Sequence, residues 1–544
     1  VSRETFPPEG YPAPADFVRP GDYTTPFLAD ALAAFPKAPL VTLKALCWYL
    51  ARKRVRARNC LHEIVGRRLV FAMRLHLRPV SPPPQAPALR CAIVEPALAL
   101  ARAREPDHDL ILVLRPGDVL LPGAEEATAA AFADERVVAA FADEVLAMDG
   151  LVLPLPKPDF DEDLLSQVDY AGPFLAIRRE ALIAAGAFTD TRDLLLRIAR
   201  ERGADAVGHI LGPVVGRDLR REVPATLLFP FGAPRDDAVV DCGSTSKEAG
   251  AIEAPLVSVI VPTRDRIDLL GPCLDGLLHT TEYPRLEVIV ADNGSTDRGT
   301  LERLAAYARD PRVRVVPMPG PFNFSRLNND AVALARGEIL VFLNNDIEVM
   351  EPTWLSALVA EAIRPEVGAV GATLLYPNGL VQHAGVVIGL AGGPAGHAFH
   401  LFRADHPGFL HMLRATRRVS AVTAACLAVR RETFLAAGGF DAEAFPVALN
   451  DVDLCLRLDA AGLRNLNVGR VRLLHKESAS RPSDRHPDEE ARYARELAAF
   501  TARWPHRLAR DPWYNPHHGW AAADFSVPRW TGAGTDSWPP AEPC

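Results

Sequence analysis

Between Val257 and Leu343 the chain alternates short apolar runs with helix-length amphipathic stretches, and this alternation restricts the fold more than any other feature. Val257-Ser258-Val259-Ile260-Val261 predicts a buried strand, the Leu269 to Leu278 region a helix, and Leu286 to Val290 the next strand. A helix from Thr300 to Ala308, a strand from Val313 to Val316, a helix from Arg326 to Ala335 and a strand from Ile339 to Leu343 follow. Short strands that are apolar on both faces, separated by helices of this size, belong in a parallel sheet covered on both sides. In such sheets ligands bind beyond the carboxyl ends of the strands. The chain puts polar clusters there: Pro262-Thr263-Arg264-Asp265, Asp292-Asn293-Gly294-Ser295-Thr296-Asp297 and Asn344-Asn345-Asp346.

The front half contains a faded copy of the back half. Phe174 to Phe188 (FLAIRREALIAAGAF) aligns without a gap on Cys426 to Phe440 (CLAVRRETFLAAGGF). Leu110 to Leu114 mirrors Ile339 to Leu343, and Asp193 to Arg197 mirrors Asp453 to Arg457. The copies diverge where chemistry is expected. Asn344-Asn345-Asp346 becomes Arg115-Pro116-Gly117, Asn450-Asp451 becomes Asp190-Thr191, and the opening strands with the Thr263 and Asp292 clusters are expected to be missing. The 544 residues therefore divide into a helical, basic segment (1–85), a degenerate and inactive copy (86–235), a linker (236–254), a catalytic unit (255–481) and a helical or irregular extension (482–544).

Hydrophobic residues make up 49% and charged residues 24%, an ordinary globular balance, and a net charge of −8 argues against nucleic acid as a partner. Eight separated cysteines without a CxxC pair read as reduced thiols, and VSRETFPPEGYPAPADF has no secretory pattern, so the expected location is cytoplasmic. Ala38 to Ala51 reads as an amphipathic helix followed by Arg52, Lys53, Arg54, Arg56 and Arg58. That suits either a solvated face or peripheral contact with the inner face of a membrane.

Seven segments in one order, VSVIVPTRDR, VIVADNGSTD, FNFSRLNNDAVALARGEILVFLNNDIEV, VQHAGVVIGLAGGPAGHAF, AVTAACLAVRRETFLAAGGFD, LNDVDLCLRL and LLHKESASR, resemble the family 2 glycosyltransferases of bacterial cell-surface polysaccharide, rhamnan and O-antigen assembly. The resemblance implies an α/β GT-A fold, duplicated and preceded by a helical segment. It implies a nucleotide-diphosphate sugar donor, a glycan or lipid-linked acceptor and a divalent metal, Mg²⁺ or Mn²⁺. By the same resemblance Asp292 accepts a hydrogen bond from the nucleobase, Pro262 and Thr263 border that pocket, and Asp346 is the acid of a metal motif reduced to NND, where the amides of Asn344 and Asn345 can add contacts without a second negative charge. His475 approaches the metal or diphosphate, and Asp451 stands at the second position of an ED-type motif, with Asn450 in place of the usual acid.

Chemistry fits these roles. A leaving diphosphate is neutralised by a hard cation held by carboxylate and substrate oxygens. An acceptor hydroxyl needs a positioned carboxylate to take its proton, the role read for Asp451. Asp453 opens the following helix and reads as a cap or a partner of Arg457. Turn or cap chemistry is the structural alternative at Asp292, Asp346 and Asp451, and a satisfied structural histidine is the alternative at His475. His383 and His397 bracket a glycine-rich loop, Gly389 to Gly396, read either as a pocket wall or as a flexible loop, while Phe322, Asn323, Phe324, Arg326 and Asn328 are read as donor-site lining, with core as the alternative for the two aromatics. A Rossmann fingerprint would follow the first strand, where Pro262-Thr263-Arg264 stands instead, and no P-loop motif occurs. The reading is an inverting glycosyltransferase; the alternative from another class is a non-catalytic sugar-nucleotide or glycan-binding scaffold.

Overall fold

The computed structural model describes residues 31–32, 34–50, 61, 89–148, 151–188, 190–218, 254–390, 393–476, 487–519 and 522–526. The basic run Arg52 to Arg58 and the linker expected at 236–254, apart from its last residue, lie outside these. The helix expected at Ala38 to Ala51 spans Pro39–Leu50, with Leu40, Val41 and Leu43 exposed.

The front strands are β1 (Cys91–Val94), β2 (Leu110–Val113), β3 (Val119–Leu120), β4 (Ala139–Met148), β5 (Leu151–Leu155), β6 (Leu175–Arg178) and β7 (Val207–Asp218). They form one sheet in the order β1-β2-β6-β4-β7-β3, with β5 on β4. The back half supplies β8 (Val257–Thr263), β9 (Leu286–Asp292), β10 (Val313–Pro317), β11 (Ile339–Leu343), β12 (Ile347–Val349), β13 (Val367–Leu375), β14 (Val381–His383), a hairpin of β15 (Val386–Ile388) with β16 (Ala395–His397), then β17 (Thr416–Arg418), β18 (Cys426–Arg430) and β19 (Arg464–His475). The large sheet runs β10-β9-β8-β11-β18-β13-β19-β12, with β14 on β13 and β17 on β19.

The two sheets share a path: β1-β2-β6-β4-β7-β3 corresponds to β8-β11-β18-β13-β19-β12. Directions agree at every step. The first two strands are parallel (β1 with β2, β8 with β11). The next is antiparallel (β2 with β6, β11 with β18), as is the one after it (β4 with β6, β13 with β18). The long pair is parallel (β4 with β7, β13 with β19), and a short antiparallel strand closes the edge. The front sheet has no counterpart of β9 and β10 among the described residues, but it does have an opening strand. That corrects the expectation that both opening strands were missing. Cys91–Val94 is only four residues long, leaves Ile93 more than half exposed, and is followed at once by Glu95-Pro96, so no long apolar run marks it.

Burial on both faces explains the apolar runs of the large sheet. Val257, Val259 and Val261 point into one cluster with Leu270, Leu274 and Trp354, while Ile260 and Ile289 point into another with Phe324, Leu327 and Phe342. The helices spanning Arg298–Tyr307 and Phe324–Val332 begin about two residues before the expected positions because Asp297 and Asn323 cap them, accepting from Thr300 N (2.7 Å) and Arg326 N (2.8 Å). At the amino ends of the strands, Ser258 Oγ donates to Glu287 Oε1 (2.5 Å) and accepts from Gly337 N (2.7 Å). A Cβ on Gly337 would lie 2.5 Å from Ser258 N, so glycine is required there.

The halves share one core. Ile111, Phe141, Leu164, Leu195 and neighbours of the front unit pack in the same cluster as Leu375, Phe399, Phe402, Phe409 and Leu413 of the back unit, and Tyr514 and Phe525 of the extension join them. Polar bonds rim this contact. Arg364 meets Asp163 at 2.7 Å, Arg464 meets Glu162 at 3.0 Å, and the Gln167 amide exchanges two bonds with the Thr416 backbone (2.8 and 3.0 Å).

Candidate functional site

The carboxyl ends of β8, β9 and β11 lie side by side because the three strands are parallel neighbours, with Thr263 opposite Asp292 in register. This places the three polar clusters together. Thr263 Oγ1 accepts from Asn345 Nδ2 (3.0 Å), and the Thr263 carbonyl accepts from Asn293 N (2.8 Å). Pro262, half-buried, lies opposite Ala291. Asp292 is buried and accepts from Ser295 N (2.9 Å) and Ser295 Oγ (2.6 Å), while Ser295 Oγ also accepts from Asp265 N (2.7 Å). Asp265 and Arg266 both adopt φ of +52°, a left-handed pair of non-glycine residues where the chain leaves β8. Asp265 Oδ1 in turn takes Thr296 N and Asp297 N at 2.8 Å each, which clips the second cluster to the first. These backbone donors hold the Asp265 carboxyl below its ordinary range.

Asp346 and His475 meet across the edge of the sheet, because β12 pairs with the end of β19 and Ile347 lies opposite His475. His475 Nε2 is 3.1 Å from Asp346 Oδ1. On the other side of the ring, Nδ1 is 2.7 Å from Gln382 Oε1; an amide oxygen only accepts, so Nδ1 carries a proton there and Nε2 is the ring atom turned toward the carboxylate. Both groups are buried, and Asp346 Oδ1 has no hydrogen-bond partner. Such an orphaned oxygen needs a cation or a proton between the two groups. The donor set, one carboxylate oxygen and one imidazole nitrogen oriented by an amide behind it, fits a divalent metal completed by substrate oxygens. Among the described residues no three His, Cys, Asp or Glu side chains form a metal-sized cluster.

Asp451 joins this site through the turn at Thr423–Ala425. Ala424 N donates to Asp451 Oδ2 (2.9 Å), Val452 N donates to Oδ1 (2.8 Å), and Asn344 N donates to the Ala425 carbonyl (3.0 Å). One short turn thus touches both the base candidate and the NND cluster. Its other neighbour is His383, whose Nε2 accepts from Gly385 N (3.2 Å) and Thr423 N (3.4 Å), leaving the Nδ1 proton to meet His397 Nδ1 at 2.8 Å. Burial, then the charges of His397 and Arg417, push His383 well below the ordinary imidazole range, so it stays neutral.

Several sequence expectations resolve differently. Asp453 is buried and accepts from Arg457 (2.8 Å), Arg503 (2.9 Å) and Trp504 Nε1 (3.0 Å), a structural anchor as expected for Arg457 and with two further partners. Asn323 caps its helix, Phe324 is core, and Asn328 is fully buried with its amide on the Phe324 carbonyl (2.8 Å). The start of the glycine-rich loop serves packing. Gly389 has φ of +79° and a Cβ there would sit 2.3 Å from the Leu508 carbonyl. Gln382 was missed, although VQH placed it beside a noticed histidine.

Residues 258–435 match the family described as Glycosyl transferase family 2. The chain is 38% identical over 451 residues to the O-antigen biosynthesis protein RfbC of Myxococcus xanthus, covering 77% of this chain and 34% of that protein. It is 31% identical over 237 residues to an N-acetylglucosaminyl-diphospho-decaprenol L-rhamnosyltransferase of Mycobacterium tuberculosis, covering 39% of this chain and 75% of the relative. A mannosyltransferase of Pyrobaculum calidifontis, solved with GDP-Man and Mn²⁺, aligns with 48% of this chain and 67% of its own at 23% identity and a TM-score of 0.35. The chain spans about a third of the length of the curated relatives it matches over the most residues.

Proposed function

The chain belongs to the family 2 glycosyltransferases, with their GT-A fold in its back half, and on that premise we propose that it transfers a sugar from a nucleotide-diphosphate donor to a glycan or lipid-linked acceptor, with inversion, in cell-surface polysaccharide assembly. The observation that carries this reading is the Asp346–His475 pair at 3.1 Å, with an unsatisfied carboxylate oxygen, joined to Asp451 by the Thr423–Ala425 turn.

Asp292 and Thr263 border the nucleoside end of the donor, and Asn344 lies beside the diphosphate. Asp346 and His475 would hold Mg²⁺ or Mn²⁺, which when bound supplies positive charge to the leaving diphosphate. Asp451 takes the proton from the acceptor hydroxyl as its oxygen bonds to the anomeric carbon and the bond to the diphosphate oxygen breaks. A single displacement with one base inverts the carbon. Ala424 N and Val452 N orient the carboxylate for that step. Similarity to the mycobacterial rhamnosyltransferase favours a rhamnosyl donor and a lipid-linked acceptor.

We assign the front sheet, by contrast, to scaffolding: a degenerate copy that binds no donor. At the end of β7, where the back sheet has His475, Arg217 bonds buried Glu144 at 2.9 Å, and Lys157 fills the remaining oxygen at 2.7 Å. No helix among the described residues is long and apolar enough to cross a membrane. Exposed Leu32, Leu40 and Leu43 before the basic run favour peripheral contact with an anionic membrane surface, where a lipid-linked acceptor would be found.

The test is transfer by the purified full chain with a panel of nucleotide sugars and divalent metals. Asp451→Asn should lower transfer by about 10²–10⁴-fold while donor binding persists. Near-normal transfer in that variant overturns the base assignment, and no hydrolysis or transfer with any donor favours a scaffold.

A further inference from the structure

The turn that delivers Asp451 has an unusual entry. The helix Asn450–Ala460 starts after Leu449, a non-glycine residue at φ +61° with no side-chain oxygen to cap the helix. Left-handed backbone at a bulky residue persists only where neighbours hold it. Here the holding comes from the far end of the chain. Glu496, buried on the helix Pro487–Arg503, accepts from Val447 N (2.9 Å) and Ala448 N (3.2 Å) through the same Oε1. The rest of the segment is pinned residue by residue. Ser325 Oγ donates to the Phe445 carbonyl (2.5 Å), Ser325 N to the Pro446 carbonyl (3.2 Å), and Asn450 Nδ2 to the Val447 carbonyl (3.0 Å). The same helix is locked in place at its end by Arg503 on Asp453 (2.9 Å) and Asp441 (2.8 Å), and by Phe500 in the core beside Phe445.

We propose that Glu496 is a positioning residue for the transfer reaction: it fixes the Val447–Leu449 turn and so sets where the Asp451 carboxylate stands. The helix Pro487–Arg503 is then part of the catalytic unit, although it lies beyond the residues that match the family and in the segment the sequence left without a function. The proposal rests on Asp451 being the base, and the experiment separates the two claims.

Glu496→Ala, Glu496→Gln and Asp451→Asn are made in the full chain. Transfer is followed at varied donor and acceptor, with donor affinity read separately by thermal stabilisation. In Glu496→Ala, kcat should fall about ten- to hundredfold at unchanged donor KM and unchanged donor affinity, since a base displaced by an ångström loses rate and not binding. Glu496→Gln should stay within about threefold of the parent, because the amide oxygen still accepts both N–H groups. Should Glu496→Ala fail to fold, Glu496→Asp, one methylene shorter with its charge kept, should show the same split between kcat and KM. Unchanged kcat with only a lowered Tm overturns the proposal, as does equal loss in the Gln and Ala variants. If Asp451→Asn transfers normally, the base reading has failed; if Asp451→Asn is inactive while Glu496→Ala is not, the positioning claim alone has failed.

Discussion

The two sheets run the same path with the same register, so equivalent residues can be compared directly across the molecule. Leu375 lies opposite Leu474 in the back sheet and Val145 opposite Gly216 in the front, so the next residues, His475 and Arg217, occupy the same place. By the same pairing Asp346 corresponds to Gly117, because Glu348 faces Leu474 as Val119 faces Gly216. At that shared place the front sheet pairs its central carboxylate on both oxygens, while Asp118, 3.7 Å from Arg217, keeps one buried oxygen without a hydrogen bond. Glu144 has Lys157 on one oxygen and Arg217 on the other, and Lys157 also donates to the Ala171 carbonyl (2.6 Å). A Cβ on Gly172 would fall 2.1 Å from Glu144 Oε1, so even the backbone is shaped around the cluster. The extension seals it from the side: Asn515 Nδ2 donates to Asp143 and to the Lys157 carbonyl (2.7 Å), and Arg510 grips Asp159 with two bonds of 2.8 and 2.7 Å. The back sheet leaves an oxygen of Asp346 unpaired at the same depth. The contrast therefore lies in the partners: Glu144 is held by two cations of the chain itself, and the Asp346 oxygen by none but the facing His475 ring.

The largest expected effects pull this comparison apart. Asp346→Ala should lower transfer by about 10²–10³-fold, the range for removing one electrostatic partner of a developing charge. It should leave the melting temperature of the metal-free protein unchanged or slightly raised, because a buried carboxylate without partners costs stability. Glu144→Ala should do the reverse. It strands Lys157 and Arg217 in the interior, costs about 3–5 kcal/mol in chemical denaturation, and leaves transfer per folded molecule intact. A Glu144→Ala protein of parental stability, or one with lost donor affinity, would remove the distinction between frame and site. A smaller effect refines the site itself. Gln382→Ala frees the His475 ring, and divalent-metal affinity measured by titration calorimetry should weaken about 10–100-fold. No change would return His475 to the role of a structural histidine.

What the sequence disclosed and what it withheld divide along physical lines. Runs such as Val257 to Val261 announce strands because both faces are buried, and the seven ordered segments carry the family. In the front unit the strand and helix within Phe174 to Phe188 were legible because their apolar residues are packed as those of Cys426 to Phe440 are. Its opening strand was not, since four half-buried residues leave no periodic trace. Asp346, His475 and Asp451 were visible as residue types at strand and helix ends. Their mutual distances depend on β19 crossing beside β12, which only pairing reveals. Glu496 and Asn515 were invisible for a related reason: each bonds a segment some fifty or several hundred residues away, and nothing local distinguishes them from any solvated polar side chain.

Acid offers the mildest way to sharpen the contrast, because buried histidines in the two regions respond with opposite sign. His518, packed against Phe409 (4.9 Å) and Phe525 (5.3 Å) in the extension that ties the units together, is pushed down to about 3, chiefly by burial. Its folded value lies below the unfolded one, near 6.5, so the unfolded chain binds the proton more readily. Stability from this residue is therefore full above about pH 6.5 and is lost as pH falls toward 3, amounting to about 2 kcal/mol at pH 5. His383 shifts in the same direction. His209 in the front unit goes the other way. Burial lowers it, but Asp143 at 2.9 Å and Asp159 at 3.1 Å outweigh burial and raise it, so its stabilisation is present below the unfolded value and fades as pH rises through the folded one. Asp143, for its part, is held down to about 2 by His209 against the opposing effect of burial, and keeps its charge throughout this window. Lowering pH from 7.5 to 5 should thus loosen the extension and the back unit while the front network holds. His518→Phe, which keeps the aromatic packing and removes the proton site, should flatten the dependence of melting temperature on pH. An unchanged slope in that variant would place the acid sensitivity outside the extension.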